Sequence, residues 1–173
     1  HPRPEVGAAL RRHHVDRHCP VHATVTAALR EAAAAPVPPR LHRRLAPTRY
    51  APRVARELAA LACARWELPH LTTAAQVICS ELVTNAVRHA GTVIDLTVTL
   101  RDDALRVSVR DGCPGPPRLR TPDATDEGGR GLLIVDTVAD AWGTVPVPDG
   151  KLVWASLAFA RHADRVTLAV SAT

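Results

Sequence analysis

The sequence predicts an α+β domain, a two-layer α/β sandwich in which helices cover one face of a mainly antiparallel sheet. Two observations lead to this fold class. Four segments in the second half of the chain alternate apolar and polar residues with the period of a β-strand. These strands occur in pairs joined by short turns, and two segments with helical periodicity precede them. Short turns favour hairpins over the long crossovers that a parallel sheet requires.

The start of the chain is predicted to be an N-terminal appendage, residues 1–48. Within it, the Ala-rich stretch Val21–Ala35 is typical of a helix, and prolines end that pattern. The Pro- and Arg-rich stretch Pro36–Pro47 is interpreted as a linker or loop. The main domain is predicted to cover residues 49–160 and a tail to cover 161–173.

Two helices are expected to open the main domain. Pro52–Trp66 has a proline at its first position, where a helix tolerates one. The second helix is expected over Thr73–Ala90. Thr73 and Gln76 have the spacing of a capping box, and Gly91 supplies a stop signal.

Two hairpins follow, separated by a loop and a short helix. The predicted strands are Val93–Arg101, Ala104–Asp111, Ala141–Val147 and Lys151–Phe159. A Pro- and Gly-rich loop over residues 112–129 leads into an apolar helix at Gly131–Val138. The turns are expected at residues 102–103 and 148–150, where Asp, Pro and Gly cluster.

Charge and cysteine content exclude several function classes. The net charge is +5, but residues 1–53 contain ten Arg and only three acidic residues, so the remainder carries −2. This basic segment has Tyr50 as its single Phe, Trp or Tyr and so offers little surface for stacking, which disfavours nucleic-acid binding. The four cysteines form no C-x-x-C pair, which favours reduced thiols in a cytoplasmic protein. No apolar run approaches the ~20 residues of a membrane span.

Polar side chains interrupt two apolar faces, one on a predicted helix and one on a predicted strand. Glu81 and Asn85 lie one helical turn apart among apolar neighbours. Because burying polar side chains without partners is costly, Glu81 and Asn85 are expected to bind a metal ion or a polar ligand. The alternative is that the two side chains are capped or bridged by water. Asp111 continues the inward register of a strand, where it would accept hydrogen bonds from a ligand amine or from backbone N–H groups. A turn-capping aspartate is the alternative for Asp111.

A glycine cluster at Gly128–Gly131 opens the short apolar helix. Glycines before a helix N-terminus expose N–H groups and the positive end of the helix dipole, which together favour an anion. The cluster is not a Walker loop, because no Gly-Lys-Ser/Thr follows.

Taken together and in order, three motifs resemble those of the Bergerat-fold, histidine-kinase-like ATPases. Glu-Leu-Val-Thr-Asn at 81–85 resembles the N box. Asp-Gly-Cys-Pro-Gly at 111–115 and Gly-Arg-Gly-Leu-Leu at 129–133 resemble the two glycine boxes. The resemblance implies ATP and Mg²⁺ as cofactors. By the same resemblance Asn85 holds Mg²⁺, Asp111 binds the adenine amino group and residues 116–128 form a lid. The remaining implied nucleotide contacts are Gly115, Gly129, Arg130 and Gly131. Cys113 departs from the family pattern, which has Gly there.

The compact length and the N box resemble the branch of serine kinases that act as anti-sigma factors. That resemblance implies Glu81 as the catalytic base, a STAS-type anti-sigma-factor antagonist as protein substrate, and a sigma factor as a further partner. It leaves homodimerisation open. Residues 15–29 also resemble the C-terminal end of a STAS domain. The alternative is a non-catalytic, ATP-dependent binding module that sequesters a protein partner.

Overall fold

The computed structural model describes residues 24–34, 37–114 and 131–160, which fall into two compact units, His1–Val37 and Pro38–Thr173. In the first unit, helix α1 covers Val25–Ala34. The hydroxyl of Thr24 accepts a hydrogen bond from the Ala27 N–H at 3.1 Å and so caps this helix. The predicted helix Val21–Ala35 is confirmed over this range, and its first residues lie outside the described part.

The second unit is a five-stranded antiparallel sheet with helices packed on it, which confirms the predicted α+β class. Its elements are β1 Arg40–Leu45, α2 Ala51–Arg65, α3 Thr72–His89, β2 Ile94–Leu100, β3 Ala104–Asp111, α4 Gly131–Val138, β4 Ala141–Val147 and β5 Gly150–Ala158. The strand order is β1-β2-β3-β5-β4. The two predicted hairpins, β2-β3 and β4-β5, therefore lie side by side in the sheet, and β3 of one pairs with β5 of the other.

The stretch Pro36–Pro47 was predicted to be a linker or loop, and this prediction is wrong for Arg40–Leu45. These residues form β1, which pairs antiparallel with β2 from Arg40 opposite Thr99 to Leu45 opposite Ile94. Leu41 and Leu45 alternate onto the core side, and the arginines face away from it or lie exposed. Prolines at both ends and abundant arginine hid this alternation, although charged residues are common on edge strands.

Helices α2 and α3 pack through small side chains. Ala55, Ala59 and Ala62 on α2 are fully buried, as are Ala75 and Cys79 on α3. Small residues let the two helix backbones approach closely, so few aromatic side chains are needed to fill this core. Burial also raises the pKa of the Cys79 thiol, which keeps it protonated and unreactive. Both core cysteines are free thiols, as expected.

The start of α3 differs from the sequence expectation, whereas its end agrees with it. A short 3₁₀ turn at Pro69–Leu71 leads directly into the helix, and Leu71 in the cap position forms no side-chain cap. The predicted capping box is therefore wrong. The Gln76 side chain instead donates to the backbone carbonyl of Arg56 at 3.5 Å, because α2 packs alongside. The predicted stop at Gly91 is confirmed: its φ is +60°, a conformation that favours glycine.

The core lies between the helices and one face of the sheet. Alternate residues of β2, β3 and β5 point into it, including Leu96, Val107 and Ala155, all at 0% exposure. On β3 the inward series ends with Asp111, which is also buried. In the part of the chain that the structure describes, no helix is long and apolar enough to cross a membrane. The predicted lid, residues 116–128, and the predicted tail, residues 161–173, lie outside that part.

Candidate functional site

The central feature of the site is a buried ion pair at one end of the sheet. Asp111 is the last residue of β3, and the antiparallel register places it opposite Lys151 near the start of β5. The Lys151 ammonium lies 2.8 Å from Oδ1 of Asp111, and each residue is only 3% exposed. A charge removed from water requires a partner of opposite charge, and each residue provides one for the other.

The backbone after β3 closes a ring of hydrogen bonds around this pair. The Cys113 N–H donates to Oδ1 of Asp111 at 2.9 Å, and the Cys113 carbonyl accepts from the Lys151 ammonium at 3.3 Å. Gly112 donates its N–H to the Thr92 hydroxyl at 2.8 Å. Oδ1 of Asp111 is therefore held by two donors, one charged and one neutral.

Cys113 fits this turn without backbone strain. Across residues 24–34, 37–114 and 131–160, Glu67 is the only non-glycine residue with a positive φ. The backbone at Cys113 thus adopts a conformation that any L-residue reaches. The cysteine at this position forms backbone hydrogen bonds to both Asp111 and Lys151.

The second carboxylate oxygen of Asp111 has no partner. Oδ2 is buried and accepts no hydrogen bond from any described residue, and only His70 Nε2 shares that condition among the buried side-chain atoms described. A buried carboxylate oxygen without a donor is energetically costly. Such an atom suits a ligand that brings its own N–H group.

Gly150 allows the β4-β5 turn to pack against the end of β3. Its φ is +150°, and a Cβ placed there would overlap the Asp111 backbone carbonyl and come within 2.7 Å of the Gly112 Cα. Only glycine fits this close approach. Gly150 therefore brings Lys151 into register with Asp111.

On the helical side, the structure brings Glu81 and Gly131 together. Glu81 and Asn85 are half-buried on α3, whereas Ile78 and Leu82 on the same helix are almost completely buried. A Cβ at Gly131 would come within 2.6 Å of Oε2 of Glu81, so the carboxylate lies against the first residue of α4. Any larger residue at 131 would displace it.

Three of the predicted contacts, Gly115, Gly129 and Arg130, lie outside the described residues. Asp111, Glu81, Asn85 and Gly131 all lie within them. No group of three or more His, Cys, Asp or Glu side chains suited to a metal ion occurs among the residues described. Mg²⁺ is usually held by one or two protein oxygens together with phosphate oxygens and water, and the Asn85 side chain offers one such oxygen.

An open cavity of about 530 Å³ lies at the same end of the sheet. Its lining comprises Arg44, Thr92, Val93, Asp95, Arg110, Asp111, Gly112 and Asp149. Glu81, Asn85 and Gly131 do not contribute to it. Asp95 and Arg110 face away from the helices, whereas Asp111, which also lines the cavity, belongs to the inward series of β3.

Sequence reasoning missed Lys151, although a signal for it was present. Along β5 the inward residues are Lys151, Val153, Ala155 and Leu157, which are all buried. A lysine in phase with three apolar residues indicates a buried cation, and a buried cation requires an acidic partner. Asp111 has the same property on β3. The pairing of the two became visible only through the strand register.

Comparison with protein families gives a match over most of the second unit. Residues 44–157 match the family model of the histidine kinase-like ATPase domain, which is more than half of the chain. The matched range contains Glu81, Asn85, Asp111, Gly131 and Lys151. Comparison with curated proteins gives no match.

Proposed function

Because the chain belongs to the histidine kinase-like ATPase family, we propose that it binds ATP with Mg²⁺ and transfers a phosphoryl group to a serine of a STAS-type anti-sigma-factor antagonist. The observation that carries the binding step is the free oxygen of Asp111. Oδ2 is buried and has no partner among the described residues. The exocyclic amino group of adenine supplies the N–H donor that this oxygen lacks.

The phosphate end of the nucleotide is assigned to the start of α4. The N-terminus of a helix presents backbone N–H groups and the positive end of its dipole, both of which favour phosphate. Gly131 begins this helix, and the absence of a side chain there leaves room for Glu81. By the family resemblance, Gly115, Gly129 and Arg130 contribute further contacts, and Asn85 holds the metal ion.

The described residues fit ATP in two respects. A buried acceptor lies at the end of β3, and a glycine lies at the N-terminus of a helix whose first residue contacts a carboxylate. Bound ATP would supply the phosphoryl group and leave as ADP, and Mg²⁺ would neutralise the charge of the phosphates. The chain's own residues bind the base, position the phosphates and handle one proton.

Glu81 is assigned as the general base that accepts this proton. Its carboxylate is half-buried and lies against Gly131, on the side of α3 where the phosphates are expected. From this position it would accept the proton of a serine hydroxyl as the oxygen attacks phosphorus. Removing a general base typically lowers a rate by ~10²–10⁴-fold.

The test separates binding from chemistry in two variants. In calorimetry, Asn85→Ala is expected to lose the Mg²⁺-dependent part of ATP binding. Glu81→Ala is expected to bind ATP nearly normally and to lose phosphotransfer to a STAS protein by ~10²–10⁴-fold. Glu57→Ala is a matched control, because Glu57 is an exposed carboxylate on α2 that pairs with Arg53 at 3.0 Å. Phosphotransfer at the wild-type rate in Glu81→Ala would refute the base assignment.

A second candidate function is a non-catalytic, ATP-dependent binding module for a protein partner. The contact between Glu81 and Gly131 favours it, because a carboxylate at a helix N-terminus also stabilises that helix without any chemistry. In that case wild-type protein binds a STAS protein or a sigma factor only with ATP, and no phosphate is transferred. Whether the chain forms a homodimer is answered by light scattering of the same samples.

A further inference from the structure

We propose that Lys151 is a positioning residue that sets the base selectivity of the nucleotide site. It holds Oδ1 of Asp111 and leaves Oδ2 as the one acceptor oxygen for the base. The site would thereby select a purine with an exocyclic amino group over a purine with a carbonyl oxygen at the same position. This inference rests on the proposed ATP-binding function and adds a residue to it.

The first argument is the unequal use of the two carboxylate oxygens. Oδ1 accepts from the Lys151 ammonium at 2.8 Å and from the Cys113 N–H at 2.9 Å. Oδ2 accepts from no described residue and is buried. A carboxylate free to rotate would exchange its oxygens between such donors. With Lys151 and Cys113 in place, one oxygen is occupied and the other is presented unpaired.

The second argument is that the oxygens of an ion-paired carboxylate act only as hydrogen-bond acceptors. In the pair with Lys151, both oxygens of Asp111 are acceptors and neither is a donor. An amino group on a purine offers an N–H to Oδ2. A carbonyl oxygen at the same ring position would place two acceptors against each other, which leaves both unpaired in a buried site. A protonated or displaced Asp111 would lose this distinction.

The third argument is that Lys151 stands where a simple sheet core would carry an apolar residue. Val153, Ala155 and Leu157 continue its inward series on β5. A buried ion pair is often no more stable than a well-packed apolar pair, so stability alone is a weak reason for a lysine here. The Lys151 ammonium also stabilises the backbone turn after β3, since it donates to the Cys113 carbonyl at 3.3 Å. Lys151 thus fixes both the carboxylate and the backbone that follows it.

The experiment compares ATP with inosine triphosphate, in which a carbonyl oxygen replaces the amino group of adenine. The affinity of each is measured by calorimetry for wild type, Lys151→Met, Asp111→Asn and the double variant. Wild type is expected to prefer ATP by roughly 10–100-fold, and Lys151→Met to lose most of that preference. In the Asp111→Asn background, Lys151→Met is expected to change the ratio no further, because Lys151 acts through Asp111.

Arg110→Met is the matched control, since it also removes a cation from this end of the sheet. Arg110 pairs with Asp149 on the other face, and its loss is expected to leave the ATP preference unchanged. If Lys151→Met does not fold, Lys151→Gln replaces it, because glutamine keeps a donor without the charge and is expected to weaken the preference.

The outcomes distinguish the inference from the function on which it rests. An unchanged ratio in whichever Lys151 variant folds would overturn the selectivity role and leave ATP binding standing. An equal further drop in the Asp111→Asn background would overturn the route through Asp111. If wild type binds neither nucleotide, the proposed function is wrong and the inference fails with it.

Discussion

Two ion pairs lie at the same end of the sheet, on neighbouring residues of β3, and they differ in nearly every physical respect. Asp111 pairs with Lys151 on the helical side at 2.8 Å, where the side chains are 1% and 3% exposed. Arg110 pairs with Asp149 on the outer side at 3.5 Å, where the exposures are 47% and 85%. Successive residues of a strand face opposite sides of the sheet, so one step along the chain moves a charge from water into the core.

The comparison explains why the inner pair suits the proposed contact with the base and the outer pair does not. Water screens the charges of Arg110 and Asp149 and competes for every hydrogen bond, so their interaction contributes little. Around Asp111, water is excluded, and each missing or added hydrogen bond changes the free energy substantially. An unpaired oxygen in that setting discriminates between ligands, whereas an unpaired oxygen on the outer face would simply bind water.

The largest effect that we expect is on stability, and it follows from removing one charge of the inner pair. Lys151→Met leaves the Asp111 carboxylate buried without a countercharge and is expected to lower the free energy of unfolding by about 3–5 kcal/mol. Urea denaturation monitored by circular dichroism measures it. Asp111→Asn combined with Lys151→Met removes both charges and is expected to regain most of the loss. A Lys151→Met protein within 1 kcal/mol of wild type would show that this pair is not buried as described.

The next effect concerns ligand binding through Asp111. Asp111→Asn converts an acceptor into a group that is part donor, and we expect ATP affinity to fall by roughly 10–100-fold. The measurement is calorimetry at a temperature where circular dichroism shows the variant folded. Asp149→Asn makes the same chemical change in the outer pair and should bind ATP as wild type does. Equal losses in the two variants would argue against Asp111 as the base contact.

A smaller effect is expected from the outer pair itself. Arg110→Met removes one partner of an exposed pair, and the free energy of unfolding should change by less than about 1 kcal/mol. The same urea titration, run beside Lys151→Met, provides the comparison. A loss as large as that of Lys151→Met would mean that Arg110 has a buried role, for example at the cavity that it lines with Asp95 and Arg44.

The smallest effect is the salt dependence of these losses. At 1 M NaCl the screening length is about 3 Å, so the contribution of the Arg110–Asp149 pair should vanish. The deficit of Lys151→Met should persist, since salt ions do not reach a buried pair. Denaturation of wild type and both variants at low and high salt tests this difference. A Lys151→Met deficit that also disappears in salt would contradict the burial of the inner pair.

Much of the fold was predictable because its signals are local. The alternation in β2, β3, β4 and β5 and the periodicity of the helices are properties of consecutive residues. They identified nearly every element to within two residues. β1 was missed because its arginines and the prolines on either side of it resemble a loop, and its strand character depends on pairing with β2, which lies about 50 residues away. The Thr73–Gln76 cap was wrong for a similar reason, since α2 and the preceding 3₁₀ turn decide how α3 begins.

The candidate site likewise has features that the local sequence predicts and features that depend on the tertiary structure. Motif and periodicity identified Asp111 as an inward carboxylate and predicted Glu81 and Asn85 as neighbours on a helix, since both depend on spacing along one element. The sequence by itself thus determined the fold class, the hairpins and the residue types of the site. Only the tertiary structure decided that Lys151 lies opposite Asp111 and that Glu81 lies against Gly131. The physical reason is that register and helix packing bring together residues 40 to 50 positions apart, and burial then determines which of their polar atoms stay unpaired.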